Sequence, residues 1–346
     1  MARRRNDAPT KTETATPSTK TRMADIAKLA GVSAPTVSRA LNGSLLISAE
    51  TRQRIVELAR EHGYFTEKIF RKLRRARTNT VAVVADLPMG RGSRSPDSFT
   101  FDLIADISHA LAVRDLDLLL FPRGATIDDY EQMYDAKGVD GIIFLGQGRQ
   151  DAILRRLAAS GAPMVAWGAV LGDSPYCTVG VDNISGGEQV GRHLAAARRT
   201  KVLFVGDLTY EQVAQRRAGL LKGLAGAASV TDLHVDGYGY DTAYKAVTAL
   251  LGKSADRADA IFAASDSQAM AAIRALAEVG LSAPDDVRVV GYNDIPHAAY
   301  FNPPLTTVAQ DTHQAGALLT EKLMQVLDGG RPRSVILPAE LVVRAS

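Results

Sequence analysis

Two rhythms of apolar residues divide the chain. Between Met23 and His62 they recur at helical spacing in three short blocks. Ile26, Ala27, Leu29 and Ala30 mark the first block, which Gly31 ends. The second opens after Ser33, a residue type that caps helix N-termini, and Pro35 falls in the first turn, where a missing N–H is tolerated. Val37 and Leu41, one helical turn apart, are placed to face the first helix. The third block begins near Ser48, with Ile55, Leu58 and Ala59 as its buried stripe. From residue 80 the blocks shorten into "TVAVVAD" (80–86), "LDLLLF" (116–121), "GIIFLG" (141–146), "PMVAWG" (163–168), "KVLFVG" (201–206), "AIFAAS" (260–265) and "VRVVGY" (287–292). Such runs predict strands buried on both faces. Helical stretches at 101–113, 151–159, 185–197, 211–225, 242–251 and 267–279 alternate with them. The alternation predicts an α/β fold, and the number of strands predicts two doubly wound parallel sheets rather than one. In such sheets ligands bind beyond the carboxyl ends of the strands.

Two segments follow neither rhythm. Residues 1–21 are polar and rich in Thr and Pro, which predicts a disordered basic tail. Residues 64–78, "YFTEKIFRKLRRART", set Lys68, Arg71, Lys72, Arg74, Arg75 and Arg77 around Ile69, Phe70 and Leu73, as in a linker or a helix that forms conditionally. Residues 1–80 hold 17 Lys and Arg against 7 Asp and Glu, although the whole chain carries a net charge of only +3. A basic front on an acidic body suits a polyanionic partner, with a merely solvated tail as the alternative.

The chemistry that is missing narrows the function. The single cysteine, Cys177, rules out a disulfide framework within one chain and fits a reducing compartment. No export signal and no membrane-length apolar run is present, so a cytoplasmic protein without a membrane partner is expected. HExxH, CxxC, GxSxG, GxxxxGK[ST] and a helix-opening GxGxxG are all missing. The expectation is no metal, no cofactor and no enzyme activity.

A helix, a tight turn at Gly31 and a second helix from Ser33 form a helix-turn-helix, whose second helix offers its N-terminal residues to the DNA major groove. Ser33, Thr36 and Ser38 are candidate phosphate or base contacts, and Arg39 can fork onto guanine. "MADIAKLAGVSAPTVSRALNG" followed by "SAETRQRIVELAREHGY" resembles the DNA-binding headpiece of the lactose/galactose repressor family. "VGVDNISGG", "QRRAGLLKGL", "AIFAASDSQAMAAIRALAEVGL", "VRVVGYNDIPHAAYFNPPLTTVAQ" and "LVVRAS" match that family's core in order.

The resemblance implies a tail over 1–21, a headpiece over 22–64, a hinge over 65–78 and a periplasmic-binding-protein-like core of two interleaved subdomains over 79–346. It implies a ligand-responsive regulator, most simply a repressor, that binds a pseudo-palindromic double-stranded DNA operator as a homodimer. A carbohydrate-binding module or carbohydrate enzyme is the alternative. The DNA-binding set is Ser33, Ala34, Pro35, Thr36, Ser38, Arg39 and Asn42, with Arg71 and Leu73 in the hinge and Leu73 matching the residue that wedges into the minor groove.

The implied effector is a sugar, sugar phosphate or sugar acid held by Ser98, Phe99, Trp167, Asp182, Arg216, Tyr238, Ser265 and Asn293. The Arg216 fork suits hydroxyls, carboxylate or phosphate, and the Trp167 and Tyr238 rings suit the apolar faces of a sugar. Asp182 and Asn183 are hinge or ligand residues, and Asp266 is read as a helix cap. The chain departs from the family at several points. Asn293 stands where Asp is usual, keeping hydrogen bonding but losing the charge. Phe65-Thr66-Glu67 replace the usual Pro-Asn after the tyrosine, Ile69-Phe70 replace small residues, and Ala76 replaces a glycine. Ala34 and Pro35 offer no side-chain donor, which shifts base reading toward Arg39. The ending "LVVRAS" carries no leucine heptads, so a dimer rather than a tail-linked tetramer is expected.

Overall fold

The computed structural model describes residues 23–41, 47–61, 78–86, 98–123, 126–130, 133, 138–148, 151–252 and 258–346. The chain divides into two compact units, Met1–Arg77 and Thr78–Ser346. The expected tail, most of the hinge, and the sites Asn42, Arg71 and Leu73 lie outside the described residues.

The first unit holds α1 (Met23–Ala30), α2 (Ala34–Leu41) and α3 (Ala49–Glu61). Gly31, at φ +67°, ends α1 in the left-handed conformation that glycine adopts without strain, and Val32 N–H returns to the Ala27 carbonyl. Ser33 and Ser48 open the next two helices, each hydroxyl oxygen accepting the N–H three residues on, from Thr36 and Thr51, at 3.3 Å. Ile26, Ala27, Ala30, Val37, Ala40, Ile55 and Ala59 form the buried core. Leu29, expected within it, is 46% exposed. On α1 the stripe of Ile26, Ala27 and Ala30 leaves Leu29 roughly a quarter-turn away.

The second unit contains two six-stranded sheets. The first is built from β1 (Thr80–Ala85), β2 (Asp117–Pro122), β3 (Gly141–Leu145), β4 (Met164–Trp167), β5 (Cys177–Val181) and β11 (Val335–Leu337), in the order β11-β5-β4-β3-β1-β2. All its pairings are parallel. The second comprises β6 (Lys201–Gly206), β7 (Ser229–His234), β8 (Ala260–Ala263), β9 (Arg288–Asn293), β10 (Thr306–Ala309) and β12 (Glu340–Val342), in the order β12-β10-β9-β8-β6-β7. Only β12, against β10, runs antiparallel. The seven expected strands are all present. β5, β7, β10, β11 and β12 were not expected, being short or, as in β7, largely exposed. β2 departs from the expected two-sided burial: it is an edge strand, with Leu119 and Leu120 exposed.

The helices are α4 (Ser98–Ala112), α5 (Asp151–Ala159), α6 (Asn183–Ala196), α7 (Glu211–Leu224), α8 (Tyr240–Leu251), α9 (Asp266–Glu278), α10 (Pro296–Tyr300) and α11 (Thr312–Leu327). The sheet order sends the chain between subdomains three times: after β5, after β10, and between β11 and β12. The carboxyl ends of both sheets therefore meet these crossings.

α6 and α7 pack closely because "GGEQVG" and "GLLKG" place glycines four residues apart on the facing sides. A Cβ at Gly187 would stand 2.1 Å from the Arg216 carbonyl oxygen, one at Gly219 2.1 Å from that of Ile184, and one at Gly223 2.1 Å from that of Glu188. Backbone meets backbone at these positions, with no side chain between.

Candidate functional site

A cleft of about 810 Å³, open solvent at its mouth included, lies where the carboxyl ends of the two sheets converge. The first subdomain contributes Asp86 after β1, Gly146 after β3, Trp167 on β4 and Phe99 at the start of α4. The second contributes Gln212 and Arg216 from α7, Asn293 at the end of β9 and Tyr238 before α8. Asn183 and Gln310 sit at two of the crossings. A molecule that filled this cleft would touch both subdomains at once.

Arg216 is the buried charge of the cleft, 4% exposed. Its Nε donates to Asn183 Oδ1 at 2.9 Å and its Nη1 to the Ala264 carbonyl at 2.5 Å. Its guanidinium carbon lies 3.6 Å from the centroid of the Tyr292 ring, a cation–π contact. Burial pushes the Tyr292 phenol above its ordinary pKa, and the nearby guanidinium opposes that shift. Asn183 is itself anchored, its Nδ2 donating to the Val181 carbonyl.

Asn293 has φ +116° and Asp294 φ +54°, two successive non-glycine residues in the left-handed region. Backbone strain of this kind persists where the surroundings hold it. Here Gln310 Nε2 donates to Asn293 Oδ1 at 2.6 Å, and Arg344 pairs with Asp294 at 2.7 Å. The cleft's carboxylate, Asp86, pairs with Arg123 at 2.7 Å, and Arg123 also donates to the carbonyls of Leu145 and Gly146. Aromatic rings supply the apolar walls. Phe99 and Trp167 stand 6.0 Å apart between centroids, Tyr210 and Tyr238 5.4 Å, and the Tyr238 hydroxyl accepts from Gln212.

Phe99, Trp167, Arg216, Tyr238 and Asn293 thus come together on the cleft. Ser98, Asp182 and Ser265, expected beside them, do not line it. The Ser98 hydroxyl is buried without a partner, beside a separate hollow with Met270, His297 and Phe301. Asp182 caps α6 by accepting the Ser185 N–H. Ser265 caps α9, and its hydroxyl donates to the Tyr238 carbonyl, which fixes the loop that carries the Tyr238 ring. Asp266, expected as that cap, is instead fully buried, accepting from Thr307 Oγ1 and the Ile295 N–H. Sequence reasoning missed Tyr210, Gln212 and Gln310. The available signal was position: Tyr210 and Gln212 follow β6, and Gln310 follows β10, a strand too short to stand out. Among the described residues one trio, Asp207, His234 and Asp236, could face a metal ion. Asp207 there already accepts the N–H and hydroxyl of Thr209, and the other two are exposed.

On the headpiece, the Ser33 and Thr36 hydroxyls lie 2.8 Å apart at the exposed start of α2, and Arg39 and Pro35 are exposed. Ala34 packs partly against the headpiece core and Ser38 is half-buried. Since Ser33 holds the cap, Ser33→Ala is expected to lower headpiece stability by about 1 kcal/mol, read by thermal unfolding.

The model described as "Bacterial regulatory proteins, lacI family" matches residues 22–67, and that described as "Periplasmic binding protein-like domain" matches residues 192–346. The chain is 32% identical to the HTH-type transcriptional regulator CelR of Thermobifida fusca over 93% of its own length and 96% of that protein's. The chain belongs to the lacI family. As a lacI-family protein it is a DNA-binding transcriptional regulator rather than an enzyme. It is also 30% identical to the HTH-type transcriptional repressor PurR of Erwinia tasmaniensis, over 90% of its own length and 91% of that repressor's. The solved CelR–cellobiose complex superposes with a TM-score of 0.67 at 30% identity, covering 94% of this chain and 99% of that one. Among the described residues of this lacI-family chain no helix is long and apolar enough to cross a membrane.

Proposed function

We propose that this regulator binds a pseudo-palindromic operator as a cytoplasmic homodimer, and that a sugar or sugar derivative in the cleft sets its affinity for DNA, most simply as a repressor. The observation that carries the reading is the make-up of the cleft: a buried arginine, a ring of amides and two aromatic pairs, drawn from both subdomains. A ligand that bridges two subdomains binds one relative arrangement better than another, and only such a difference can shift a conformational equilibrium. The relative solved with cellobiose supports a sugar, and a purine is the competing outcome.

On the DNA side, Ser33, Ala34, Pro35, Thr36, Ser38, Arg39, Asn42, Arg71 and Leu73 are the proposed contacts. The test is binding of the intact protein to fragments from the neighbourhood of its own gene, at two salt concentrations. One fragment is expected to survive the higher salt. Arg39→Ala is expected to weaken that complex by about 1–3 kcal/mol and relax its sequence preference. Weak binding to every fragment, erased by salt, would reduce the basic front to bulk electrostatics.

A further inference from the structure

We propose that Gln189 is a positioning residue of the effector response: it fixes the pivot between the two subdomains and so sets how strongly cleft and DNA are coupled. The inference rests on the proposed effector role of the cleft, which Gln189 itself does not line. Gln189 is half-buried on α6, and its side chain reaches the last of the three crossings, between β11 and β12. On that crossing Leu337 belongs to the core of the first subdomain, and Leu341 packs on the core of the second. Ala339, between them, packs against both.

Both ends of the Gln189 amide hold this segment. Nε2 donates to the Ala339 carbonyl at 2.8 Å, and Oε1 accepts the Leu341 N–H at 3.1 Å. Nε2 also donates to Ser185 Oγ at 3.4 Å. On the other side the Leu337 carbonyl accepts the Asp182 N–H at 2.9 Å, and β11 pairs with β5. Only Pro338 stands between the two anchored ends, and its ring holds φ near about −65°. Turning along this crossing is therefore confined to the bonds beside Pro338. Hinges work in this way, through a few element-terminal residues that absorb the backbone change. The other two crossings are held at the cleft, where Asn183 bonds Arg216 and Gln310 bonds Asn293. Gln189 holds the third from outside it. Without the amide, Ala339 regains its rotations and the pivot widens. A ligand's preference for one subdomain arrangement is then spread over several.

The test uses the full chain. Gln189→Leu removes the hydrogen bonds at similar size, and Gln189→Glu keeps the acceptor for Leu341 but loses the donor to Ala339. Spin labels at Ala159→Cys on α5 and Ala249→Cys on α8, both exposed sites, report the spread of distances between the subdomains in a Cys177→Ala background. The spread is expected to be narrow in the parent, broad in Gln189→Leu and intermediate in Gln189→Glu. Glucose, galactose, ribose, cellobiose, glucuronate, glucose 6-phosphate and hypoxanthine are then added to the DNA-bound parent. For the compound that changes DNA affinity, the factor of change is expected to fall by about fivefold in Gln189→Leu. A merely structural glutamine would lower the unfolding temperature and leave that factor alone. An equal spread in the parent and Gln189→Leu overturns the inference, and so does an unchanged factor. A broadened spread in the variant, with no compound that alters DNA binding by the parent, supports the pivot and overturns the effector reading together with the coupling role.

Discussion

Gly219→Ala is expected to destabilise the core by about 3 kcal/mol, at the upper end of what overpacking costs. The added methyl would stand 2.1 Å from the Ile184 carbonyl oxygen and 2.9 Å from the Glu188 nitrogen. Both obstacles are backbone, so no side chain can rotate away, and α6 must move off α7. That movement also disturbs the cleft, because Asn183 begins α6 and Arg216 lies on α7, joined by a hydrogen bond of 2.9 Å. Thermal unfolding should show a fall of roughly 5 °C or more. Gly226→Ala is the contrast for space: its Cβ would meet nothing within 4 Å, and the left-handed φ of +83° alone sets its cost. A Gly219→Ala protein as stable as the parent would mean that the two helices are not packed backbone to backbone.

Arg216→Ala is expected to lower effector affinity by about 100-fold, the loss of one to two hydrogen bonds made by a charged group. DNA binding without effector should persist, since Arg216 belongs to α7 of the second unit and not to the helix-turn-helix. Stability should fall as well, because the Asn183 and Ala264 oxygens each lose a donor inside the protein. Arg216→Lys should not restore the affinity: an ammonium cannot reach Asn183, Ala264 and a ligand with the geometry of a planar fork. The measurement is effector titration by calorimetry on both variants, with circular dichroism confirming that they fold.

The parts of this architecture that rest on local rules were legible in the sequence. Gly31, Ser33 and Ser48 marked helix ends that the structure places within a residue, because capping depends on neighbours in the chain. The seven apolar runs of the sheets were equally plain. What escaped depended on distant partners. β11 and β12 are three residues each and exist because the closing segment returns to both sheets. β2 reads as a buried strand, and only its place at the sheet edge exposes it.

The cleft shows the same division. Arg216, Trp167 and Asn293 stood in motifs or at strand ends, whereas Gln310 is drawn in by Asn293, seventeen residues earlier in the chain. Ser265 and Asp182 were drawn toward the cleft by motif alone. Each side chain is instead bound to a helix N-terminus.

The central claim is that occupancy of the cleft and binding of DNA are coupled, and coupling between two sites is reciprocal. The most direct measurement takes a compound that stabilises the protein and determines its affinity for the free protein and for the protein bound to its DNA fragment. DNA affinity is then measured with and without the compound. The account predicts that each ligand changes the other's affinity by the same factor, about 5- to 150-fold, and that Arg216→Ala removes the effect. Equal affinity of the compound for the free and the DNA-bound protein would contradict it.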